Sequence, residues 1–218
     1  KWDHPILTDS GGYQVFSLSK IRRLLEKGVE FQSHLDGAKK ILTPEKAVQI
    51  QQALNSDIIM SLDICSPFPC SRVRAEADLV RTTDWARRGK NQKLKNKKKN
   101  LIFGIVQGSV YHDLRRRSAA ELIKIDFDGY AIGGLAVGEP TTQMYRILEA
   151  TVPFLPKNKS RYLMGVGYPE QIVAAVQRGL DMFDCVLPTR NARHGSLFLL
   201  KKEAAKKLIS GQNEIVTN

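Results

Sequence analysis

The sequence has few cysteines and no long hydrophobic run, and these two absences exclude several classes of protein. Cys65, Cys70 and Cys185 are too few for a disulfide framework and do not form a paired Cys-x-x-Cys metal site. No apolar run approaches the ~20 residues that span a bilayer, and no secretory signal is recognised. We therefore expect a protein of the reduced cytoplasm, without a membrane segment.

Acidic residues are also scarce relative to basic ones. The 218 residues include 34 Lys and Arg against 22 Asp and Glu, which gives a formal net charge of +12. Such a charge favours a polyanionic partner, most commonly nucleic acid, and a merely soluble basic protein is the alternative. The lysine-rich run 93–99 has a similar pair of interpretations, a solvated surface loop or a contact with RNA phosphates.

Strand-like and helical patterns alternate along most of the chain. The predicted strands are 5–8, 58–62, 101–106, 129–132, 161–164 and 182–186, and the predicted helices are 73–88, 113–123, 141–152 and 169–178. A hairpin is predicted from 29–32 to 40–42 around Asp36-Gly37, followed by a helix from the N-cap Thr43 to about Leu54, with Leu54 on its apolar side. This alternation predicts an α/β fold with a parallel sheet.

Chemically active residues follow the predicted strands one after another. A doubly wound sheet gathers its ligand groups mainly at one switch point, whereas a (β/α)8 barrel collects them at the carboxyl ends of all its strands. The distribution here favours an irregular (β/α)8 TIM barrel with about six of its eight strands. We expect residues 1–218 to be a partial barrel domain, because the chain begins at Lys1 and its polar end, 211–218, closes no element.

Three carboxylates accompany the predicted strands: Asp9 and Asp63 directly follow strands, and Asp184 lies inside the apolar strand 182–186, where an unpaired carboxylate is expensive unless it has a task. Paired carboxylates are the usual groups for breaking a glycosidic bond, one attacking the anomeric carbon and the other moving a proton. A third can accept from N1–H and N2–H2 of guanine, because an ionised carboxylate only accepts hydrogen bonds. The Gln107 amide and a backbone N–H near Gly134 can donate to O6, so the set suits a purine-like base.

Several glycine-rich or basic segments remain ambiguous from their residues alone. Asp9 precedes Ser10-Gly11-Gly12-Tyr13, where the backbone can approach a ligand and Tyr13 can stack on a ring, or Asp9 can form an Asx-turn. The segment 165–170 lacks the third glycine of a dinucleotide site but can hold a phosphate at a helix start. The predicted loop 189–195 suits phosphates or base edges, or is a charged surface loop.

Long segments of the chain resemble the signature segments of tRNA-guanine transglycosylases. These segments are 8–16, 103–108, 128–139, 162–167 and 182–193. The similarity covers nearly all of the sequence and keeps the order of the family's motifs. It implies exchange of guanine at the wobble position of tRNAs with a GUN anticodon (Tyr, His, Asn and Asp) for the deazaguanine preQ1 or queuine, in queuosine biosynthesis.

The resemblance also implies roles for individual residues. Asp184 is implied to be the nucleophile that links covalently to ribose C1′, and Asp9 the general acid/base. The residues implied to bind the base are Ser10, Gly11, Gly12, Tyr13, Asp63, Cys65, Gln107, Gly133, Gly134, Leu135 and Met164. The residues implied to contact RNA are Gly165, Val166, Gly167, Tyr168, Pro169, Glu170, Gln171, Thr189, Arg190, Asn191, Ala192 and Arg193.

Other implications concern what lies around this site. The family carries a structural zinc on a Cys-x-Cys-x-x-Cys run plus a His, which we expect beyond Asn218, and it is typically a homodimer. Val137 resembles the bacterial type, which takes preQ1, whereas Ile64 stands where the family favours an acidic residue. The alternatives are a catalytically silent tRNA-binding subunit and an unrelated barrel glycosidase; retention of Asp9 and Asp184 favours the transglycosylase over the first.

Overall fold

The computed structural model describes residues 2–18, 22–33, 35–95 and 98–199. The strands are β1 (Leu7–Thr8), β2 (Arg22–Leu25), β3 (Gly28–Gln32), β4 (Lys39–Leu42), β5 (Ile58–Met60), β6 (Leu101–Val106), β7 (Gly129–Ile132), β8 (Arg161–Leu163) and β9 (Met182–Phe183). The helices are α1 (Gly12–Leu18), α2 (Pro44–Ala53), α3 (Arg72–Lys95), α4 (His112–Ile125), α5 (Thr141–Thr151), α6 (Pro169–Val176) and α7 (Leu187–Arg193), with a 3-10 turn at Val152–Phe154. The polar end 211–218 and residues 96 and 97 of the lysine-rich run lie outside the described residues.

A curled parallel sheet of six strands forms the body of the described fold. Its order is β1-β5-β6-β7-β8-β9, and each neighbouring pair is parallel. Helices α3, α4 and α5 connect successive strands from β5 to β8, as in a barrel of (β/α) units. The predicted α/β class, with an incomplete TIM-like barrel, is confirmed.

Alternation along the strands divides the apolar core into two layers. Phe103 and Ile105 of β6 pack in one cluster with Met60, Ala131 and Tyr162, one on each of three other strands. Ile102 and Val106, which alternate with these residues along β6, belong to a second cluster, shared with α4 and α5. Successive side chains of a strand point to opposite faces, so the first cluster lines the concave side and the second fixes the helices.

A three-stranded antiparallel sheet lies between β1 and α2 in the sequence. The predicted hairpin is confirmed as β3 and β4, with Val29 opposite Leu42, and β2 adds a third strand that was not predicted. The buried indole of Trp85 in α3 donates to the carbonyl of Glu26 at 2.8 Å. This bond fixes the β2–β3 turn to the barrel.

The predicted start of α2 is confirmed, but its apolar side is only partly right. Thr43 is the N-cap, accepts from Lys46 N at 3.2 Å and precedes Pro44. Ala47 and Val48 are buried as expected. Leu54 is 63% exposed, because it is the C-cap and has left the helical face.

Three predicted strands end earlier than expected: β8 by one residue, and β5 and β9 by more, at positions that matter for the site. β5 stops at Met60 and β9 at Phe183, so Asp63 and Asp184 lie beyond the sheet. Ser61 N still donates to the Phe103 carbonyl of β6 at 3.0 Å, and Ile64 N, three residues further on, donates to the side chain of Thr82 at 3.0 Å. The carboxylates are therefore free of the sheet ladder and stand at its carboxyl edge.

Two helices occupy segments for which the sequence predicted no helix. Residues 12–18 form α1, and the basic segment expected as the loop 189–195 lies largely in α7, whose first turn contains Pro188, a residue preset for that position. The lysine-rich run also begins inside the last turn of α3, where cations interact favourably with the helix dipole. No helix in the described ranges is long and apolar enough to cross a bilayer.

Candidate active site

The three predicted carboxylates meet in one cleft at the carboxyl edge of the parallel sheet. The cleft has a volume of about 630 Å³ and is lined by Asp9 after β1, Asp63 after β5 and Asp184 after β9. The first and last of these strands are five positions apart in the sheet order, so only the curl of the sheet brings their carboxylates together. Burial and the charge of a neighbouring carboxylate then raise the pKa values of Asp9 and Asp63.

Asp184 is held by two donors from the neighbouring strand and the loop that follows it. The Tyr162 hydroxyl donates to Asp184 Oδ1 at 2.6 Å, and the backbone N–H of Gly165 donates to the same oxygen at 2.8 Å. Burial, and then the hydrogen bond to Asp184, raise the pKa of Tyr162 above its usual value. The phenol is therefore a donor at all physiological pH values and fixes the direction of the carboxylate.

Asp9 is a half-buried carboxylate whose charge is opposed by its surroundings. Its Oδ1 accepts from Ser10 N at 2.8 Å, which is the adjacent residue and not the second one that an Asx-turn requires. Ser10 makes the turn instead, since its Oγ accepts from Gly12 N at 3.2 Å. Burial raises the pKa of Asp9, hydrogen bonds from Ser10 and Gln14 oppose the rise, and the charge of Asp184 adds to it.

Asp63 is the most buried of the three carboxylates and is 9% exposed. Burial raises its pKa to about 7, and the negative charge of Asp9 contributes to the rise. Gln107 lies behind it, 1% exposed, and donates from Nε2 to Asp63 Oδ2 at 2.7 Å. Gln107 Oε1 is buried and accepts no hydrogen bond within the part of the chain that the structure describes.

The loop after β7 approaches this pair so closely that only glycine fits. A Cβ on Gly133 would lie 2.8 Å from Gln107 Nε2, and one on Gly134 would lie 2.3 Å from Gln107 Oε1. Gly134 also has a φ of +63°, which L side chains rarely adopt. Gly133, Gly134 and Leu135 line the cleft, so this loop presents backbone to it.

Cys65 lines the cleft beside Asp63 and is 9% exposed. Burial raises the pKa of its thiol to about 12, with a further contribution from the charge of Asp63. Cys70 and Cys185 are also free thiols. Within the described ranges no group of three or more His, Cys, Asp or Glu could hold a metal ion, so the residues here do not fit the expected zinc, and its ligands stay a prediction for sequence beyond Asn218.

The remaining predicted base contacts are split between α1 and β8. Tyr13, in α1, is 49% exposed and lines the cleft, as does the half-buried Met164 that follows β8. Gly12 is needed for close approach, because a Cβ there would lie 2.9 Å from the Asp63 carbonyl oxygen. Ser10 and Gly12 thus shape the wall, and Tyr13 and Met164 face the space.

The predicted RNA-contacting residues fall into cleft, core and surface positions. Gly165, Gly167, Tyr168, Gln171 and Arg190 line the cleft. Val166 is 1% exposed and belongs to the core, so its side chain cannot reach RNA. The others lie at the surface of α6 or α7, namely Pro169, Glu170, Thr189, Asn191, Ala192 and Arg193.

Three residues that position the site were missed from the sequence. Tyr162 looks like an ordinary strand aromatic, and only its contact with Asp184 shows its role. Glu139 accepts from Val137 N at 3.0 Å and so folds the loop after β7. Arg115 could have been found from the sequence, because its helical spacing places it on the same buried face of α4 as Ala119 and Leu122, where a charged residue is unusual.

This fold and this cleft define a (β/α)-barrel protein with its site at the carboxyl ends of the strands. Residues 1–213 match the family model of queuine tRNA-ribosyltransferase. The chain belongs to this family.

Curated relatives named queuine tRNA-ribosyltransferase agree with this assignment. The chain is 55% identical to the protein of Thermoanaerobacter sp. strain X514 over 200 residues, which cover 92% of this chain and 53% of that protein. It is 57% identical to the protein of Pelotomaculum thermopropionicum over 195 residues, 89% of this chain and 52% of the relative. The protein of Listeria monocytogenes serovar 1/2a is also 57% identical, over 89% of this chain and 51% of its own length. The chain thus spans about half the length of the curated relatives it matches.

Proposed function

We propose that the full-length protein is a tRNA-guanine transglycosylase. It exchanges guanine at the wobble position (34) of GUN tRNAs for preQ1 or queuine, in queuosine biosynthesis. The observation that carries this proposal is the convergence of Asp9, Asp63 and Asp184 in one cleft of a chain that belongs to the queuine tRNA-ribosyltransferase family.

In the first displacement, the Asp184 carboxylate attacks ribose C1′ of the flipped-out nucleotide. A carboxylate–C1′ bond forms as the C1′–N9 bond breaks, and guanine leaves with the electron pair. The donors from Tyr162 and Gly165 N support this role, because they fix the attacking group. The target base must leave its stack for the reaction, as in other enzymes that act on a base.

In the second displacement, the incoming base attacks C1′ and releases Asp184, which restores the original configuration at C1′. Asp9 protonates the leaving guanine and takes the N9 proton of the incoming base. A raised pKa suits a group that must both give and accept a proton near neutral pH. The two carboxylates share the cleft, and the pKa of Asp9 responds to the charge of Asp184.

Base recognition falls to the residues around Asp63. When ionised, Asp63 accepts from N1–H and N2–H2, and Gln107 and the Gly134 backbone donate to O6. Gln107 is within reach of this edge because it already bonds to Asp63. Tyr13 and Met164 line the same cleft and cover the faces of the ring.

The tRNA is bound by the cleft rim and the surface of α7. Arg190 lines the cleft, and Arg193 lies one turn further along the same helix. The net charge of +12 supports binding to a polyanion. We further propose that the full-length protein is cytoplasmic and acts as a homodimer with a structural zinc held outside the described residues.

The test is radiolabelled guanine exchange into an unmodified tRNA-Tyr transcript, with full-length protein. We expect exchange by the parent and none by Asp184→Asn, with a covalent protein–RNA adduct on denaturing gels only for the parent. Asp181→Asn is the matched control. Asp181 precedes β9, at the end of the strand opposite to Asp184, and its carboxylate accepts a hydrogen bond from Arg161 N. A folded parent that binds tRNA without exchange would leave the silent-subunit alternative, and an active Asp184→Asn variant would refute the assigned nucleophile.

A further inference from the structure

The guanidinium of Arg115, on α4, is completely buried, and all its hydrogen bonds go to backbone carbonyls. Its Nε donates to Ser109 O at 2.7 Å, one terminal nitrogen donates to Val106 O at 3.0 Å and Gly133 O at 2.7 Å, and the other donates to Gly134 O at 3.1 Å. It has no carboxylate partner among the residues that the structure describes. A buried cation without a carboxylate in contact is expensive, so these four carbonyls, together with the more distant charge of Glu139, must offset its desolvation.

These carbonyls belong to the two loops that form the base-recognition side of the cleft. Val106 and Ser109 flank Gln107 at the end of β6, and Gly133 and Gly134 follow β7. Gln107 itself is held by the same helix, because its N–H donates at 3.1 Å to the hydroxyl of Ser118, one turn beyond Arg115. One face of α4 therefore ties both loops together.

Because Arg115 fixes the Gly133 and Gly134 carbonyls, it also fixes the direction of the N–H groups in the same peptide units. In a trans peptide the C=O of one residue and the N–H of the next lie in one plane and point in opposite directions. The Gly133 and Gly134 carbonyls point to Arg115, so the N–H groups of Gly134 and Leu135 point away from it. Gly134 and Leu135 line the cleft, and the Gly134 N–H interacts with the thiol of Cys65, which also lines it, so these donors face the cleft.

We propose that Arg115 is a positioning residue for base recognition, which aims the Gly134 and Leu135 N–H groups at the carbonyl oxygen of a guanine-like base. This inference rests on the proposed function, because it needs such a base in the cleft. Arginine suits the task, since its planar fork carries five N–H groups in fixed directions, whereas lysine is a single point of charge. Burial lowers the pKa of Arg115 to about 10, so the group stays charged at neutral pH.

The first measurement compares Arg115→Lys with Arg117→Lys in the full-length protein. Arg117 is on the same helix but is half-exposed, with ion pairs to Glu76 and Glu121. For Arg115→Lys we expect KM for guanine to rise about 10-fold or more, since small misplacements of a binding group have effects of this size. The kcat at saturating guanine and KM for tRNA should stay within about 3-fold, as should all constants of Arg117→Lys.

A base analogue separates this role from general destabilisation. 6-Thioguanine keeps N1–H and N2–H2 but replaces O6 by a weakly accepting sulfur, so the parent should prefer guanine. Arg115→Lys should lose most of that preference, and hydrogen exchange of the amides at 133–135 should become faster. If Arg115→Lys does not fold, Arg115→Gln gives the same comparison without a buried charge.

Each outcome decides between the two proposals. An unchanged KM for guanine, an unchanged preference over 6-thioguanine and unchanged exchange at 133–135 in an active Arg115 variant would overturn the role of Arg115. A parent without guanine exchange would instead refute the proposed function. In that case the amide exchange at 133–135 still shows whether Arg115 holds this loop.

Discussion

The Tyr162 hydroxyl lies 2.6 Å from Asp184 Oδ1, and it couples the end of β8 to the carboxylate that follows β9. Gly165, two residues beyond the end of β8, donates to the same oxygen from its backbone N–H. The segment around β8 therefore supplies both donors. This arrangement fixes the direction of Asp184. In the described part of the chain no cation forms an ion pair with it, and such a pair would lower its reactivity as a nucleophile.

Replacing Tyr162 with Phe should slow the chemical step. A hydrogen bond to a charged group is worth about 1.5–3 kcal/mol, so we expect kcat for guanine exchange to fall roughly 10- to 100-fold with little change in KM for tRNA. Tyr111→Phe is the matched control, because its hydroxyl donates to the Cys70 carbonyl and not to a carboxylate. Equal kcat values for the two variants would show that the bond to Asp184 has no such role.

The stability of the protein should fall as pH rises towards neutrality because of Asp63. Its pKa is raised from 3.8 to about 7, so between these values the folded chain holds a proton that the unfolded chain releases, and the free energy of unfolding decreases with rising pH. The shift corresponds to roughly 4 kcal/mol at most. Urea unfolding at pH 5 and pH 8 should show about 3 kcal/mol of this loss in the parent, because only the two pH units between 5 and the pKa of about 7 contribute. Asp63→Asn should abolish this contribution. Parallel pH dependences for the two proteins would contradict the assignment.

The affinity for the base should have the opposite pH dependence. Only the ionised Asp63 accepts from N1–H and N2–H2, so KM for guanine should fall as pH rises through about 7. Below pH 7, KM for guanine should change by at most about tenfold per pH unit, because a single group titrates. The profile is measured from pH 5.5 to 8.5, with KM for tRNA as the internal control. A flat guanine profile would mean that Asp63 does not read the base in its charged form.

Gly167 should not tolerate a side chain unless Cys185 is also changed. A Cβ on Gly167 would lie 2.1 Å from Cys185 Cβ and 2.3 Å from its Sγ. We expect Gly167→Ala to lower stability by about 1–3 kcal/mol through overpacking and to reduce kcat, because the displaced loop carries the Gly165 donor. Adding Cys185→Gly should restore part of both losses.

Gly165→Ala is the contrasting variant for this test. Nothing lies within 4 Å of a Cβ at Gly165, but its φ of +77° disfavours any side chain. Its loss of stability, about 1 kcal/mol, should therefore be unaffected by Cys185→Gly. Rescue of both variants, or of neither, in thermal unfolding would refute the packing explanation.

Cys65 should react slowly with alkylating agents even though it lines the cleft. Its thiol pKa of about 12 leaves roughly one thiolate in ten thousand at pH 8. We expect iodoacetamide to label the less buried Cys70 and Cys185 first, as followed by peptide mass spectrometry. The Asp63→Asn variant removes one cause of the raised pKa, so Cys65 should react faster in it. Labelling of Cys65 at the rate of the other two would contradict its buried state.

Most strands and helices of the barrel could be predicted from the sequence, because local patterns of apolar and polar residues mark them. The limits of β6 and β7 are as predicted, since both strands are continuous apolar runs ended by a Gln or a glycine. α1 and α7 were missed, because glycines in the first and a dense basic segment in the second are typical of loops. α7 also shows that a proline near a segment's start can mark a helix rather than a break.

The sequence by itself determined which residue types are available and the order in which they follow the strands. It placed Asp9 and Asp63 directly after predicted strands and Asp184 within the last one, and that pattern is local; the structure ends β9 at Phe183, before Asp184. Only the tertiary structure decided that these carboxylates share one cleft, because β1 and β9 lie at opposite ends of the sheet order and the sheet must curl to bring its ends together. It also raised the pKa values of Asp9 and Asp63, since burial and neighbours shift a pKa. It gave Arg115 four carbonyl partners that lie 6 to 19 residues away along the chain.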